Sequence, residues 1–328
     1  MLYDNHNRRI NYLRLAVTDR CNLRCLYCMP EAGIAYVPRQ ELLSFEELER
    51  LLRLVIPMGI EKIRITGGEP FLRKGLIDFL KRIRQIEGLK QLHLTTNGTL
   101  FQDQICDWAP LFDSVNLSLD TTSRDRFFQL TRRDAFPQVM QTFEQLLALN
   151  IPTKINTVVM SGKNTEDILP LVKWTRHYPI SVRFIEEMPF NGLEKAQHSD
   201  WWNHQLILDH IQQAYPTLEK IPDPRFATAR NYRISGFKGT VGIIAAYTRL
   251  FCGTCNRIRL TPKGMLKTCL YDDGVFNIRD LMRAGASDAE VKLALLEALA
   301  HRAKDGHEAE QQRFSSSAIS TSMASIGG

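Results

Sequence analysis

The sequence has no apolar run approaching the ~20 residues that a membrane-spanning helix needs. Its opening residues, Met-Leu-Tyr-Asp-Asn-His-Asn-Arg-Arg, are polar and lack the apolar stretch of a signal peptide. A cytoplasmic protein without a membrane partner is expected. A Walker sequence is also absent, so any bound phosphates would be held by side chains and not by a P-loop. No heptads and no repeats beyond alternating strand and helix patterns are present. Charge of one sign is not concentrated: 42 basic residues stand against 36 acidic ones, a net charge of +6. The basic residues are dispersed without interleaved aromatics, so no nucleic-acid partner is expected. What remains is an ordinary globular composition, 44% hydrophobic and 24% charged over 328 residues, enough for one large domain or one and a half.

Cysteine is scarce but grouped. Of seven cysteines, six fall in two closely spaced sets. In a chain without an export signal, that pattern favours metal or redox work over disulfides. The first set, Cys21, Cys25 and Cys28, is spelled C-x3-C-x2-C after a strand-like segment. No His, Asp or Glu within that loop offers a fourth ligand. Structural zinc is normally closed by four ligands, whereas a [4Fe–4S] cluster takes one cysteine per iron. Three cysteines therefore leave one iron open to a small molecule. Zinc completed from afar, a disulfide framework and ordinary buried thiols are the alternatives, and the open cluster fits the spacing better. The second set, Cys252, Cys255 and Cys269, reads C-x2-C-x13-C. By itself it suits a zinc ribbon short of one ligand as well as iron; beside the first it reads as a second [4Fe–4S] cluster with its own open iron. Cys106, between Ile105 and Trp108, is expected to be a buried thiol.

Strand patterns are predicted at 12–17, 62–66, 91–95, 114–119, 154–159 and 181–185. Helices are predicted between them at 45–58, 76–86, 102–108, 137–149 and 165–177. Ser44 and Glu47 form a capping box for the first helix, and Gly88 and Asn150 are stop signals. Six βα units imply a parallel sheet with right-handed crossovers. They are too few for a closed eight-fold barrel, so the expected fold is α/β, a partial (β/α)6 TIM-like barrel, open, with a smaller C-terminal domain covering the lumen. The division is placed at residue 220. In the second part, a helix is predicted at 200–214, short strands at 231–235, 241–246, 257–260 and 265–270, and helices at 278–284 and 289–304. The Ser-, Ala- and Gly-rich tail has the composition of a disordered terminus.

Alternation along the strands separates an apolar face from a polar one. Ile63 and Ile65 oppose Lys62, Arg64 and Thr66; Leu92 and Leu94 oppose Gln91, His93, Thr95 and Asn97. Val115 and Leu117 oppose Asn116, Ser118 and Asp120. Parallel strands covered on both sides should be nearly all apolar, so the polar face must line a lumen. That lumen gathers Arg14, Lys62, Arg64, Lys154 and Arg183. Salt bridges to lumen carboxylates are the plain alternative, with Asp120 able to neutralise one cation and Glu187 placed to pair with Arg183. The excess fits a ligand of several negative charges, such as a nucleoside triphosphate.

Gly67-Gly68-Glu69-Pro70 closes the second strand, and two glycines permit close backbone approach. With the first cysteine set, this run resembles the radical S-adenosylmethionine (SAM) enzymes. Adding the second set and the terminal Gly327-Gly328, the chain is similar to their GTP 3′,8-cyclase family, the lyases that open molybdenum cofactor biosynthesis. Thr18–Pro30 and Phe251–Leu260 are the strongest parts of a likeness running from Arg14 to the end. The resemblance implies two [4Fe–4S] clusters, SAM as co-substrate and GTP as substrate. Cys21, Cys25 and Cys28 would bind the SAM cluster, and Tyr27, Gly68, Ser118 and Met188 would contact SAM. Arg14, Lys62, Arg64, Thr95, Lys154 and Arg183 would hold GTP, and Arg257, Ile258 and Arg259 would meet its guanine. Cys252, Cys255 and Cys269 would bind the second cluster, and Gly327 and Gly328 would reach the active site. An electron donor and the cyclic pyranopterin monophosphate synthase that takes the product are implied partners, and a homodimer is allowed. Ala16 departs from the Ser frequent at its position, and Glu187 from an expected apolar residue. A peptide-modifying radical SAM enzyme with an auxiliary cluster and a zinc-bearing RNA-binding module are the competing readings.

Overall fold

A computed structural model of the chain describes residues 1–100, 102–188, 190, 201–313 and 322–327. It begins with a short antiparallel pair, β1 (Leu2–Tyr3) and β2 (Arg9–Ile10), followed by β3 (Tyr12–Ala16), α1 (Phe45–Met58), β4 (Lys62–Thr66), α2 (Leu76–Arg84) and β5 (Gln91–Thr96). Next come α3 (Ile105–Trp108), β6 (Ser114–Ser118), α4 (Arg124–Thr131), α5 (Phe136–Ala148), β7 (Thr153–Val159), α6 (Ile168–His177) and β8 (Ser181–Glu186). The C-terminal part holds α7 (His204–Ala214), β9 (Leu218–Lys220), β10 (Ala229–Ile234), β11 (Thr240–Ile244), β12 (Arg257–Leu260), β13 (Met265–Lys267) and β14 (Phe276–Asn277), then α8 (Ile278–Arg283), α9 (Asp288–Ala300), α10 (Gly306–Gln311) and α11 (Met323–Ile326).

Strands β3 to β8 are parallel and adjacent in chain order. This is the open, partial barrel that six βα units permit. The gap between β3 and β8 is not closed by a seventh unit; β11 pairs parallel with β8, and β12 pairs parallel with β3. The smaller C-terminal part thus extends the sheet at both edges. Among the described residues no helix is long and apolar enough to cross a membrane.

The helices form where capping and apolar spacing agree. At α1, Ser44 Oγ accepts from Glu47 N at 3.1 Å while the Glu47 carboxylate accepts from Ser44 N at 2.7 Å. Leu48, Leu51, Leu52 and Val55 then face the sheet and meet Leu13, Ile63 and Leu92 in the first core. A second core gathers Leu117, Phe143, Ile155, Val172, Val182 and Phe184. Every one of these strand residues belongs to the apolar set of the alternation. Cys106 is a correction: it is exposed, because Ile105 and Trp108 turn inward on one face of α3 and the two residues between them point out.

At the end of β8 the fully buried Glu186 carboxylate ties three segments together. It accepts from Tyr247 N at 2.9 Å, Thr248 N at 2.8 Å and His204 N at 2.7 Å, and from the Thr248 hydroxyl and the His204 ring. Replacing Glu186 by Ala orphans three backbone donors, each costing ~1–3 kcal/mol when left buried and unpaired. The expected result is a lowered denaturation midpoint with loss of more than about 2 kcal/mol, while Glu186→Gln, which keeps an acceptor, loses less.

Candidate active site

Parallel pairing sets the basic residues in rows. Arg259 lies opposite Arg14 and Arg14 opposite Arg64; one level towards the strand N-termini, Arg257 lies opposite Tyr12 and Tyr12 opposite Lys62. In a parallel register, partners point to the same face, so β12 adds two arginines to the cations of β3 and β4. Across the lumen, Asn116 stands opposite Lys154, and Asn156 opposite Arg183. Together they line a cavity of about 710 Å³ that runs between the two cysteine sets. The first set follows the C-terminal end of β3, and the second precedes the N-terminal end of β12, so they sit at opposite ends of the strands.

Carboxylates of the described residues leave most of these cations alone. Lys62, Arg64, Lys154, Arg183, Arg257 and Arg259 form no ion pair with any carboxylate among the described residues. The pairings expected for Asp120 and Glu187 are therefore corrected. Asp120 instead accepts from Val158 N at 2.8 Å and bonds the Tyr27 hydroxyl beside the first cysteines. Burial pushes its carboxyl up to about 7. Glu187 is also pushed up by burial. Burial and the neighbouring Arg183, Arg64 and Lys62 push the Lys154 ammonium down to about 7, and burial holds Arg183 and Arg259 near 10. Burial and mutual repulsion among the arginines also hold Arg14 well below its usual range.

Arg64 is braced by oxygens other than carboxylates. It donates to the Tyr12 hydroxyl at 2.6 Å, to Leu94 O at 2.8 Å and to Thr95 Oγ1 at 3.3 Å. Although burial opposes ionisation, the adjacent Arg64, Arg14 and Lys62 bring the Tyr12 phenol down to about 7. Tyr12, Asn116 and Asn156 escaped the sequence reading as site residues. Asn116 could have been found, since it shares the polar face of its strand. The Ile258 side chain packs into the core with Leu13 and Leu260, because a strand residue between two lumen-facing neighbours must face the other way, so only its backbone is left to meet a ligand in the lumen.

The first cysteines are shaped by the glycine pair. A Cβ on Gly67 would lie 2.3 Å from Thr18 O, and one on Gly68 would lie 2.2 Å from Arg20 O. Those carbonyls accept from Gly68 N at 2.8 Å and Glu69 N at 2.7 Å, clamping the chain as it enters Cys21. Glu69, fully buried, accepts from Phe71 N, Asn97 N and the Thr96 hydroxyl. Asn97 turns its amide to Cys21 Sγ at 3.8 Å. Tyr27, Gly68, Ser118 and Met188 border the cavity near these thiols, and Thr95 lies further along.

At the far end Asp272 accepts from Cys269 N at 2.7 Å and Thr268 N at 2.8 Å, fixing the turn that presents Cys269. Burial pushes Cys21 and Cys269 up to about 11 and Cys28 to about 12. Cys255 differs: burial opposes its ionisation, yet Arg257 and Arg302 bring it down to about 6. All six thiols are free and border the same cavity. Among the described residues no three His, Cys, Asp or Glu side chains close on a point suited to a single metal ion. Two triplets of soft thiolates, each bordering the cavity, fit the donor set of an iron–sulfur cluster with one iron left for a small molecule.

The tail is ordered where it meets the site. Ser322 Oγ donates to Cys28 O at 2.7 Å, and Gly327 O accepts from Arg14 and Arg259, each at 3.3 Å. Gly327 has φ +74°, and a Cβ there would press on Ala16 and Thr66 at 2.9 Å. Gly328 lies outside the described residues.

Two family models match the chain: the Radical SAM superfamily over residues 15–175 and Molybdenum Cofactor Synthesis C over residues 180–308. The GTP 3′,8-cyclase of Geobacter sulfurreducens is 41% identical over all of this chain and 99% of its own length. The chain belongs to the GTP 3′,8-cyclase family. It is also 40% identical over 93% of its length to molybdenum cofactor biosynthesis protein 1 of Bos taurus, of which it covers 48%; the chain spans about half the length of that relative. Among solved structures, Streptococcus suis SuiB bound to S-adenosylmethionine superposes with a TM-score of 0.59 over 89% of this chain and 65% of its own, at 13% identity. At that identity the likeness is one of fold, the radical SAM partial barrel. Membership of the superfamily brings with it an iron–sulfur and SAM cofactor system.

Crowded cations predict a proton signature for this family member. A polyanion entering the lumen restores Lys154 from about 7 towards the ordinary lysine value of ~10.4. Between those values binding must take up a proton. Calorimetric titration of inorganic triphosphate at pH 8 in buffers of different ionisation enthalpy should show uptake in the wild type and less in Lys154→Met. Equal uptake by both would show that another group titrates.

Proposed function

We propose that the chain is a cytoplasmic lyase that converts GTP to (8S)-3′,8-cyclo-7,8-dihydroguanosine 5′-triphosphate, the first step of molybdenum cofactor biosynthesis. The observation that carries this reading is the cation-lined cavity joining two three-cysteine sets. A peptide-modifying enzyme has no use for so many cations on its inner wall, whereas a triphosphate neutralises them. Full-length similarity to a GTP 3′,8-cyclase supports the same assignment.

Cys21, Cys25 and Cys28 would hold one [4Fe–4S] cluster, and Cys252, Cys255 and Cys269 a second. When bound, the first supplies the electron that splits SAM into methionine and a 5′-deoxyadenosyl radical, the species that takes the hydrogen from C3′ of GTP. Tyr27, Gly68, Ser118 and Met188 contact SAM, with Gly68 bringing bare backbone to the ligand. Arg14, Lys62, Arg64, Thr95, Lys154 and Arg183 hold the triphosphate, and fixing it sets the distance of C3′ from the radical. Arg257 and Arg259 lie on the wall of the guanine subsite. After C3′ bonds to C8, one further electron and a proton complete the product, and the enclosed lumen keeps other hydrogen donors away. Gly327 packs against β3 and β4, where a side chain would collide with Ala16 and Thr66, and the Gly327-Gly328 pair serves the active site in this scheme.

The division of labour falls near residue 220: residues 1–220 bind SAM, and residues 221–328 supply the second cluster and the Gly-Gly tail. An electron donor and the cyclic pyranopterin monophosphate synthase that takes the product are the partners of this scheme.

The test is anaerobic incubation with GTP, SAM and reductant, read by mass spectrometry for the cyclised nucleotide and for 5′-deoxyadenosine. Both should form; neither forming in protein carrying its iron would contradict the proposal. Removal of Gly327-Gly328 should abolish turnover and leave the iron content unchanged. Lys62→Ala and Arg64→Ala should weaken GTP binding by tenfold or more, on the order of 1.4 kcal/mol, and leave SAM binding within about threefold. Equal weakening of the two ligands would move the triphosphate elsewhere.

A further inference from the structure

The second cysteine set is held by residues far apart in the chain. Asp4, in the turn between β1 and β2, has a fully buried carboxylate. It pairs with Arg8 at 2.6 Å and with Arg302, just past α9, at 3.1 Å. Arg8 in turn donates to Cys252 O at 3.2 Å and to Ala303 O at 2.8 Å. The β1–β2 pair is therefore anchored directly under the second cysteine set.

Arg302 is the more informative of the two. Its side chain is 3% exposed, and a guanidinium has five N–H donors. Each finds an acceptor: Thr268 O at 3.0 Å, Asp4 Oδ2 at 3.1 Å, Cys255 O at 3.0 Å, Arg257 O at 3.0 Å and Cys255 Sγ at 3.1 Å. With four donors committed to carbonyl and carboxylate oxygens, the fifth is fixed on the sulfur and cannot swing away. Among the described residues, no other thiol of this set accepts from a side chain. The side-chain partners at the first set are all uncharged: the Asn97 amide at 3.8 Å from Cys21 Sγ, the Tyr27 hydroxyl at Cys25 and the Ser322 hydroxyl at Cys28.

We propose that Arg302 is a positioning residue that sets the reduction potential of the second cluster through its charged hydrogen bond to Cys255 Sγ. The proposal rests on the two-cluster reading above. Reduction adds one electron to a cluster whose charge is spread over its sulfurs. A cation donating to one of those sulfurs stabilises the reduced form more than the oxidised one, so it raises the potential. The backbone bonds from the same guanidinium to Cys255, Arg257 and Thr268 hold that geometry while the cluster changes charge. Asp4 orients the group and is the counter-ion for two arginines that would otherwise be buried side by side.

The experiment is an anaerobic redox titration monitored by electron paramagnetic resonance on the reconstituted full chain, comparing wild type, Arg302→Gln and Arg302→Lys. The second couple should fall in Arg302→Gln by about tenfold in its one-electron equilibrium constant, about 59 mV. It should fall less in Arg302→Lys, which keeps the charge, and the first couple should stay in place in all three. Full second-cluster iron with an unmoved potential in Arg302→Gln overturns the inference. Loss of that iron from both variants overturns it too, since the arginine would then serve assembly alone. Wild type carrying only one cluster's worth of iron would instead overturn the two-cluster reading.

Discussion

Repulsion among like charges on the inner wall of an open barrel is the constraint from which the rest of this molecule follows. Arg14, Lys62, Arg64, Lys154 and Arg183 line one lumen, and β12 adds Arg257 and Arg259. In a medium of effective dielectric about 20, two unit charges 4 Å apart repel by roughly 4 kcal/mol. A fold would not keep such a wall without a use for it. The protein relieves part of the repulsion with oxygen acceptors: the Tyr12 phenol and Leu94 O for Arg64, Gly327 O for Arg14 and Arg259. On the proposed function, a multiply charged anion relieves the remainder.

The same wall explains why the two parts of the chain interlock through backbone pairing. An arginine placed on a loop would reach the lumen with loss of side-chain and backbone freedom. One placed on β12, in parallel register with β3, arrives already aimed. That pairing also fixes the second cysteine set at the end of the lumen opposite the first. The tail completes the enclosure, because a residue with φ +74° wedged between Ala16 and Thr66 has to be glycine.

Much of this was legible in the sequence because its signals are local. The alternation of Ile63 and Ile65 with Lys62 and Arg64 requires only neighbouring residues and the two-residue period of a strand. The capping box at Ser44 and Glu47 and the spacing of each cysteine set are equally local. What escaped depends on contacts between distant parts of the chain. Asp120 shares the polar face as expected, but its carboxylate meets Val158 N and Tyr27 instead of a lumen cation. Whether the residue after a strand turns towards the lumen or towards the cysteine loop is decided by tertiary packing. Cys106 was misplaced because α3 is a single turn, too short for its buried face to be told from its exposed one. The anchoring of Cys255 by Arg302 and Asp4 joins residues far apart in the chain, and no periodicity announces it.

The central claim, that the lumen stores repulsion for an anion to relieve, is tested most directly by thermal melting of the iron-loaded protein and its Lys154→Met variant at pH 7, with and without inorganic triphosphate. The bare variant should melt higher than the bare wild type, since a buried cation among cations has been replaced by an apolar side chain of similar length. Triphosphate should raise the melting temperature of the wild type more than that of the variant. A bare variant that melts no higher, with an equal gain from triphosphate in both proteins, would contradict the claim.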